Sequence, residues 1–286
     1  MSNAYPQIAR AGQNDRVLII APHIDDESIG AGGFAADAIA DGAEVYVAFL
    51  TAGDCNRFSA RLLNNTLGPT TSDYLSVGRT RIAEAKAAMR LLGVHPDHYF
   101  ILGYPDRGLR PIFDRRHEVI RSRGTGRRAV PYEEAMSPGS PYSFVSLMSD
   151  LEAVIEIARP TIVIAPVNFD LHPDHAATAM ITDEVLSELS IRPERLGYLV
   201  HSSRIPTALV HTPARALMPP TRMRSFTWVT YPLAPSALHV KDAVLRTYKS
   251  QRPYTTFLRN AFVRSNELFL VYPSEAADYA RLPIAR

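Results

Sequence analysis

The chain has 286 residues, with 31 Lys plus Arg against 29 Asp plus Glu, a formal net charge of +2 and 46% hydrophobic residues. That balance gives no global pull toward nucleic acid or a membrane surface, and no apolar stretch approaches the ~20 residues of a membrane-spanning helix. One cysteine, Cys55, excludes an intramolecular disulfide, and the polar stretch Met1 to Arg16 carries no apolar core of a secretion signal, so a cytoplasmic protein is expected.

The first apolar run, 17–21, is branched and unbroken, the pattern of a strand buried on both faces of a parallel sheet. It leads directly into His23, Asp25, Asp26 and Glu27. The C-terminal edge of such a strand is where open α/β sheets bind ligands. Like charges gathered there are costly unless a cation holds them, which points to a metal. A helical pattern at 29–41 opens on Gly30-Ala31-Gly32-Gly33. The spacing is not G-x-G-x-x-G, and the acids ahead of it would repel a pyrophosphate, so the small residues are read as close helix–sheet packing.

A second strand follows at 45–50, a helix at 79–92 closed by Gly93, and a third strand at 98–102. His95-Pro96-Asp97-His98 lies between that helix and that strand, so it belongs to the opposite edge of the sheet and is set aside. The stretch 107–143 carries Arg107, Arg110, Arg115, Arg116, Arg121, Arg123, Arg127 and Arg128, then Ser137-Pro138-Gly139-Ser140-Pro141. A loop of that length within a compact domain is usually functional or disordered. Because it follows a strand's C-terminal end, it should hang over the site. A solvated, mobile segment and a clamp for a carboxylate or phosphate both remain open.

A helix at 147–158 ends before Pro160, and a buried strand at 161–166 leads through Asn168, Phe169 and Asp170 to His172-Pro173-Asp174-His175. A helix at 174–189 and strands at 197–201, 226–231 and 267–272 complete the chain. This alternation predicts one Rossmann-like domain over residues 1–286, a three-layer α/β/α with a mostly parallel sheet and the insertion at 107–143. If the strands at 17–21 and 161–166 are close, His23, Asp26 and His175 form a three-ligand site. Two imidazoles and a carboxylate leave a position for water, as in a hydrolytic zinc centre. Asp25 is then a spare carboxylate and His172 a spare imidazole.

These paired motifs resemble those of the LmbE-like N-acetylglucosaminyl deacetylases, related to the GlcNAc-phosphatidylinositol de-N-acetylases. The family's usual first motif has Pro where Ile24 stands here, and its second matches His172-Pro173-Asp174-His175. Thr51 to Asp54, Arg81 to Ala85, Leu102 to Asp106 and Lys241 to Gln251 extend the resemblance to roughly residues 16–275, apart from 107–143.

The resemblance implies a zinc-dependent hydrolase that removes an N-acetyl (N-acyl) group from a glucosamine-containing substrate, releasing acetate and a free amino sugar. It assigns the metal to His23, Asp26 and His175, where iron(II) also suits the ligands. It assigns proton transfer to Asp25, and oxyanion stabilisation to a cationic His172 oriented by Asp174. It assigns sugar contacts to Asp54, Arg81 and Asp106; an internal ion pair of Arg81 with Glu84 or Asp54 is the plainer reading. The alternatives are the same chemistry on another amide, such as an acylated natural product or thiol conjugate, and a non-catalytic Rossmann-like binding module. The expected partner is a small N-acetylated amino-sugar conjugate, with no nucleic acid and no membrane span. A homo-oligomer is compatible with the sequence.

Overall fold

Val17, Leu18, Ile19 and Ile20 are wholly buried, as an apolar run without polar alternation must be when helices cover both faces of its strand. In the computed structural model, which describes residues 5–202, 210–252 and 254–272, this run is β1 (Arg16–Ala21). It lies inside a seven-stranded sheet with β2 (Glu44–Thr51), β3 (Tyr99–Tyr104), β4 (Ile162–Pro166), β5 (Glu194–Tyr198), β6 (Trp228–Pro232) and β7 (Asn266–Val271). The order is β3-β2-β1-β4-β5-β7-β6. The first five in that order are parallel, and β7 runs antiparallel to both β5 and β6. The sheet is therefore mostly parallel, as the strand–helix alternation predicts.

One face is covered by α1 (Asp26–Ala40), α3 (Thr71–Leu92), α7 (Pro235–Leu245) and α8 (Tyr254–Phe262). The other carries α4 (Leu109–Asp114), α5 (Phe144–Ala158) and α6 (Pro173–Glu188). The short α2 (Arg57–Asn64) packs against α3. No helix among the described residues is long and apolar enough to cross a membrane. Residues 1–4 and 273–286 of the expected 1–286 domain lie outside the described residues.

The chain order reverses between β1 and β4, which pair directly with Leu18 opposite Val163. This is the topological switch point, where a crevice opens beyond the strands' C-terminal ends. Both motif-bearing segments emerge there. His95-Pro96-Asp97-His98 forms a short 3₁₀ turn ahead of β3 instead. The side chains of His95 and Asp97 are 62% and 87% exposed, and His98 stacks on Tyr46.

Gly30 and Gly33 answer the packing question. A Cβ on Gly30 would sit 2.5 Å from the Tyr198 ring, and one on Gly33 would sit 2.5 Å from Leu233. The close approach has a cost, because α1 is kinked at Ala31 (φ −143°, ψ 15°). A buried ion pair fills the break. Lys241 Nζ donates to the Ile29 carbonyl at 2.9 Å and to Glu267 Oε1 at 2.6 Å. The Glu267 carboxylate accepts from the backbone N–H groups of Gly33 and Phe34 at 2.8 and 2.7 Å. Glu267 thus acts as an N-cap, supplied from β7, for the second half of α1.

The stretch 107–143, open in sequence to a solvated mobile segment or an anion clamp, is a folded loop. Ile120 N–H donates to the Tyr142 carbonyl at 2.9 Å, Tyr142 N–H to Arg128 at 2.8 Å, and Met136 N–H to Ile101 of β3 at 2.7 Å. Ile120, Val130, Tyr132 and Tyr142 are buried beneath it. The loop thus carries its own small core.

Candidate active site

The bend between β1 and α1 builds the centre of the site. Asp25 occupies a positive-φ conformation (φ 127°), uncommon outside glycine and a strain that recurs at functional positions. That bend separates adjacent carboxylates. Asp26 turns inward, where its Oδ2 accepts from the backbone N–H of His23 at 3.0 Å. The same oxygen lies 2.9 Å from His23 Nδ1 and 3.1 Å from His175 Nε2. Asp25 instead faces Arg81, with Oδ1 3.3 Å from Nη2.

Each of the two converging imidazoles has a carboxylate behind it. His23 Nε2 lies 3.3 Å from Asp174 Oδ2 and 3.4 Å from Asp106 Oδ1. His175 Nδ1 lies 3.3 Å from Asp170 Oδ2. Carboxylates in those positions hold the protons on the rear nitrogens and leave His23 Nδ1 and His175 Nε2 as lone-pair donors. Neither ring nitrogen of buried His175 has a properly aligned hydrogen bond. Two imidazole nitrogens and a carboxylate oxygen crowded round one point, with an orphaned nitrogen among them, fit a divalent cation. The ligand atoms of His23, His172 and His175 also lie within 4.8 Å of one another. Asp26 is the better third donor because it alone contacts both converging nitrogens.

Without a cation, charges in this cluster displace one another. Burial works against a charged His175, yet Asp26 and Asp170 hold its pKa up at about 9. Burial raises Asp25 to about 8, with Arg81 opposing and Asp26 and Glu27 adding to the rise. Glu27, the third acid of the motif, is not at the centre. Buried in the first turn of α1, it accepts from Ser28 Oγ at 2.5 Å and from the Tyr248 hydroxyl.

The expected Asp174–His172 pairing is not formed. Asp174 lies in the first turn of α6, and its carboxylate accepts from the backbone N–H groups of Arg107 and Leu109 at 2.6 and 3.1 Å. These bonds draw it toward the loop after β3 and toward His23. His172 is oriented by backbone instead: its Nδ1 accepts from the N–H of Asp174 at 3.3 Å. In the absence of a cation, burial first and then the neighbouring His23, His175 and His201 press the His172 pKa down to about 3, toward a neutral ring. A neutral imidazole accepting at Nδ1 carries its proton on Nε2.

The three expected sugar contacts separate. Arg81 lines the cleft, and it pairs with Asp25 rather than with Glu84 or Asp54 while donating to the carbonyls of Gly53 and Ile24. Gly53 has to be glycine for this, since its Cβ would fall 2.0 Å from Arg81 Nη1. Asp106 lines the cleft too, divided between His23 Nε2 and the Cys55 backbone N–H. Asp54 is wholly buried and accepts from the Tyr132 hydroxyl at 2.5 Å, so its carboxylate ties the inserted loop to β2.

Two residues of the site escaped sequence reasoning. Asp170 accepts from the backbone N–H groups of His172, Val200 and His201 and backs His175. Its signal was there to find, as a carboxylate at a strand end five residues ahead of a ligand histidine. His201, just beyond β5, lines the cleft and packs edge-on against His175, with ring centroids 4.6 Å apart. The cleft over these groups has a volume of about 690 Å³.

A family model described as GlcNAc-PI de-N-acetylase matches residues 18–186. The 1D-myo-inositol 2-acetamido-2-deoxy-alpha-D-glucopyranoside deacetylase of Kribbella flavida is 34% identical over 56% of this chain and 50% of its own length. The protein of the same name from Actinosynnema mirum is 32% identical, covering 65% of this chain and 60% of its own length. The chain thus spans about half to three fifths of these curated relatives. Among solved structures, N,N'-diacetylchitobiose deacetylase from Pyrococcus horikoshii superposes with a TM-score of 0.56 at 20% identity, covering 93% of this chain and 86% of that one. At that identity the likeness establishes the fold.

Proposed function

The chain belongs to the GlcNAc-PI de-N-acetylase family, and from that premise we propose that it is a zinc-dependent N-deacetylase acting on an N-acetylated glucosamine conjugate in the cytoplasm. Acetate and a free amino sugar are the products. The observation that carries this reading is the meeting of His23 Nδ1 and His175 Nε2 on one oxygen of Asp26 at 2.9 and 3.1 Å. A second carboxylate, Asp25, stands beside them in the same cleft.

His23, Asp26 and His175 would hold the zinc, which when bound supplies Lewis acidity toward an amide carbonyl and a nucleophile at neutral pH. Asp25 takes the proton from the attacking water and returns it to the departing amine. Burial raises this carboxyl, and the charge of a bound cation would lower it again toward the ionised form that a base requires. Arg81 fixes the direction of Asp25 by pairing with Oδ1. His172, neutral and protonated on Nε2, donates a hydrogen bond to the oxygen that gains charge as the carbonyl is attacked. It stabilises that oxygen as a dipole, a role that needs no imidazolium. Asp170, Asp106 and Asp174 keep the two ligand imidazoles in the required tautomers.

Acetate release from an N-acetylglucosaminide, with metal content measured on the same samples, tests the reading. Chelation should abolish turnover and added zinc should restore it. Undiminished activity in protein shown by elemental analysis to be metal-free would overturn the mechanism. Release of a different acyl group in strong preference to acetate would turn the assignment to another amide.

A further inference from the structure

Glu27 takes no part in the proposed chemistry, yet it is wholly buried beside the bend that presents Asp25. Its Oε2 accepts from the Asp25 backbone N–H at 3.0 Å. The carbonyl of the same peptide unit, on Ile24, accepts from Arg81 Nη2. Both polar ends of the Ile24–Asp25 peptide are therefore held, one by a carboxylate and one by a guanidinium. On its other side, the Asp25 carbonyl accepts from the N–H groups of Ser28 and Ile29 at 3.1 and 3.0 Å, in the first turn of α1. Asp25 is thus clamped through both flanking peptides at φ 127°. Relaxation to a negative φ would swing the Ile24–Asp25 peptide, break both of its bonds and redirect the side chain.

Glu27 is itself braced from outside α1. Its Oε1 accepts from Ser28 Oγ and from the hydroxyl of Tyr248, which is also buried. Tyr248 leads into a 3₁₀ turn, Lys249–Gln251, that fastens the same segment to two further helices. Ser250 donates to Glu84 of α3 from its N–H at 2.8 Å and from its hydroxyl at 2.6 Å. Glu84 lies one turn beyond Arg81 on that helix. The Ser250 carbonyl accepts from Ser59 of α2 at 2.8 Å. One segment therefore secures both holders of the Asp25 peptide, Glu27 through Tyr248 and the Arg81 helix through Ser250. A wholly buried carboxylate is costly unless its oxygens are satisfied, and one of these two is committed to that peptide.

We propose that Glu27, braced by Tyr248, is a positioning residue for Asp25: it pins the peptide whose orientation aims the Asp25 carboxylate into the cleft. This rests on the deacetylase reading for the proton transfer given to Asp25, and adds the device that aims it.

A double-mutant cycle on the zinc-loaded enzyme tests it, with acetate release from an N-acetylglucosaminide as the assay and kcat expressed per zinc-bound chain. Glu27→Met should lower kcat by ~10²-fold, the scale of loss when a catalytic group is misplaced by about 1 Å, with KM within about threefold. In an Asp25→Asn background the same substitution should cost under about threefold, because Glu27 acts only through the carboxylate already removed. Glu27→Gln keeps an oxygen for the Asp25 N–H and turns its amide to the two hydroxyls, so it should recover most of the lost rate. Should Glu27→Met not fold, Tyr248→Phe replaces it in the cycle, with a loss of ~3–10-fold in the parent that is absent in Asp25→Asn. Equal losses in the two backgrounds would make the role merely structural and overturn the proposal, as would a Glu27→Gln variant no faster than Glu27→Met. Crystal structures supply a readout besides activity: Asp25 should leave φ 127° in Glu27→Met and keep it in Glu27→Gln. An unmoved Asp25 in Glu27→Met overturns the proposal while leaving the deacetylase reading intact. A parent enzyme that releases no acetate removes that reading, and the conformation of Asp25 then decides the positioning role by itself.

Discussion

Replacing Lys241 with methionine tests how the site's principal helix is held together. Lys241 is wholly buried and Glu267 is 1% exposed, with Nζ and Oε1 2.6 Å apart. Removing the cation leaves the Glu267 charge buried and unpaired, which costs about 3–5 kcal/mol. That is a large part of the ~5–15 kcal/mol that stabilises a typical domain. At roughly 2–4 °C per kcal/mol for chains near this size, Tm should fall by about 6–20 °C. The double variant Lys241→Met/Glu267→Leu carries the sharper test. Were the pair only an ion pair, an apolar replacement would be close to neutral. Here the same carboxylate caps Gly33 and Phe34, so both N–H groups would be orphaned, at about 1–3 kcal/mol each. The double variant should therefore remain about 2–6 kcal/mol below the parent in denaturant titrations with an unchanged m-value. A double variant as stable as the parent would refute the capping role, and a loss under about 1 kcal/mol in Lys241→Met would refute the pairing argument itself.

The adjacent carboxylates should behave differently despite identical chemistry. Asp25→Asn should keep its metal and lose ~10²–10⁴-fold in kcat, while Asp26→Asn should lose metal affinity, and elemental analysis beside kinetics separates them. Metal lost from the first and kept by the second would exchange their roles. His95→Ala and His98→Ala should leave turnover within about twofold of the parent, since surface positions remote from the cleft contribute little, whereas His172→Ala should cost ~10²–10³-fold. Comparable losses from the two motifs would refute that contrast. Asp54 supplies a pH test, because burial raises its carboxyl from 3.8 to about 7. Between those values the folded state holds a proton that the unfolded state releases, so stability from this group is full below pH 3.8 and is lost as pH rises through about 7. Asp54→Asn should match the parent near pH 4 and gain on it by up to about 4 kcal/mol above pH 8 in urea titrations; a relative gain at low pH instead would reverse the sign.

The parts of this molecule that were legible in its sequence are those specified locally. The strands at 17–21 and 161–166 could be read because burial on both faces removes polar residues from every position. Their chemistry could be read because each strand delivers its histidines and acids within a few residues of its end. The helices that went unseen are mostly short or polar. α2 and α4 have only two buried residues each, and the first two turns of α3, from a capping box at Thr70 and Asp73, hold no apolar periodicity to find.

Adjacency of β1 and β4 is a different kind of fact, fixed by the crossover of the chain and by pairings such as Leu18 with Val163. Everything that depends on it was conditional in the sequence, including which oxygen two histidines share. The same nonlocality explains the error at His172. Asp174 stands two residues away and invites a pairing, yet a carboxylate in a helix's first turn satisfies whichever N–H groups fold over it. Here those belong to Arg107 and Leu109, more than sixty residues earlier. The arginines obey that logic too. Arg116 and Arg123 are the same residue type in the same loop, and one finds Glu184 of α6 while the other, held by the Ser122–Arg127 turn, finds only the open cleft. A side chain's task is thus set less by its motif than by which partners the fold has already assigned elsewhere.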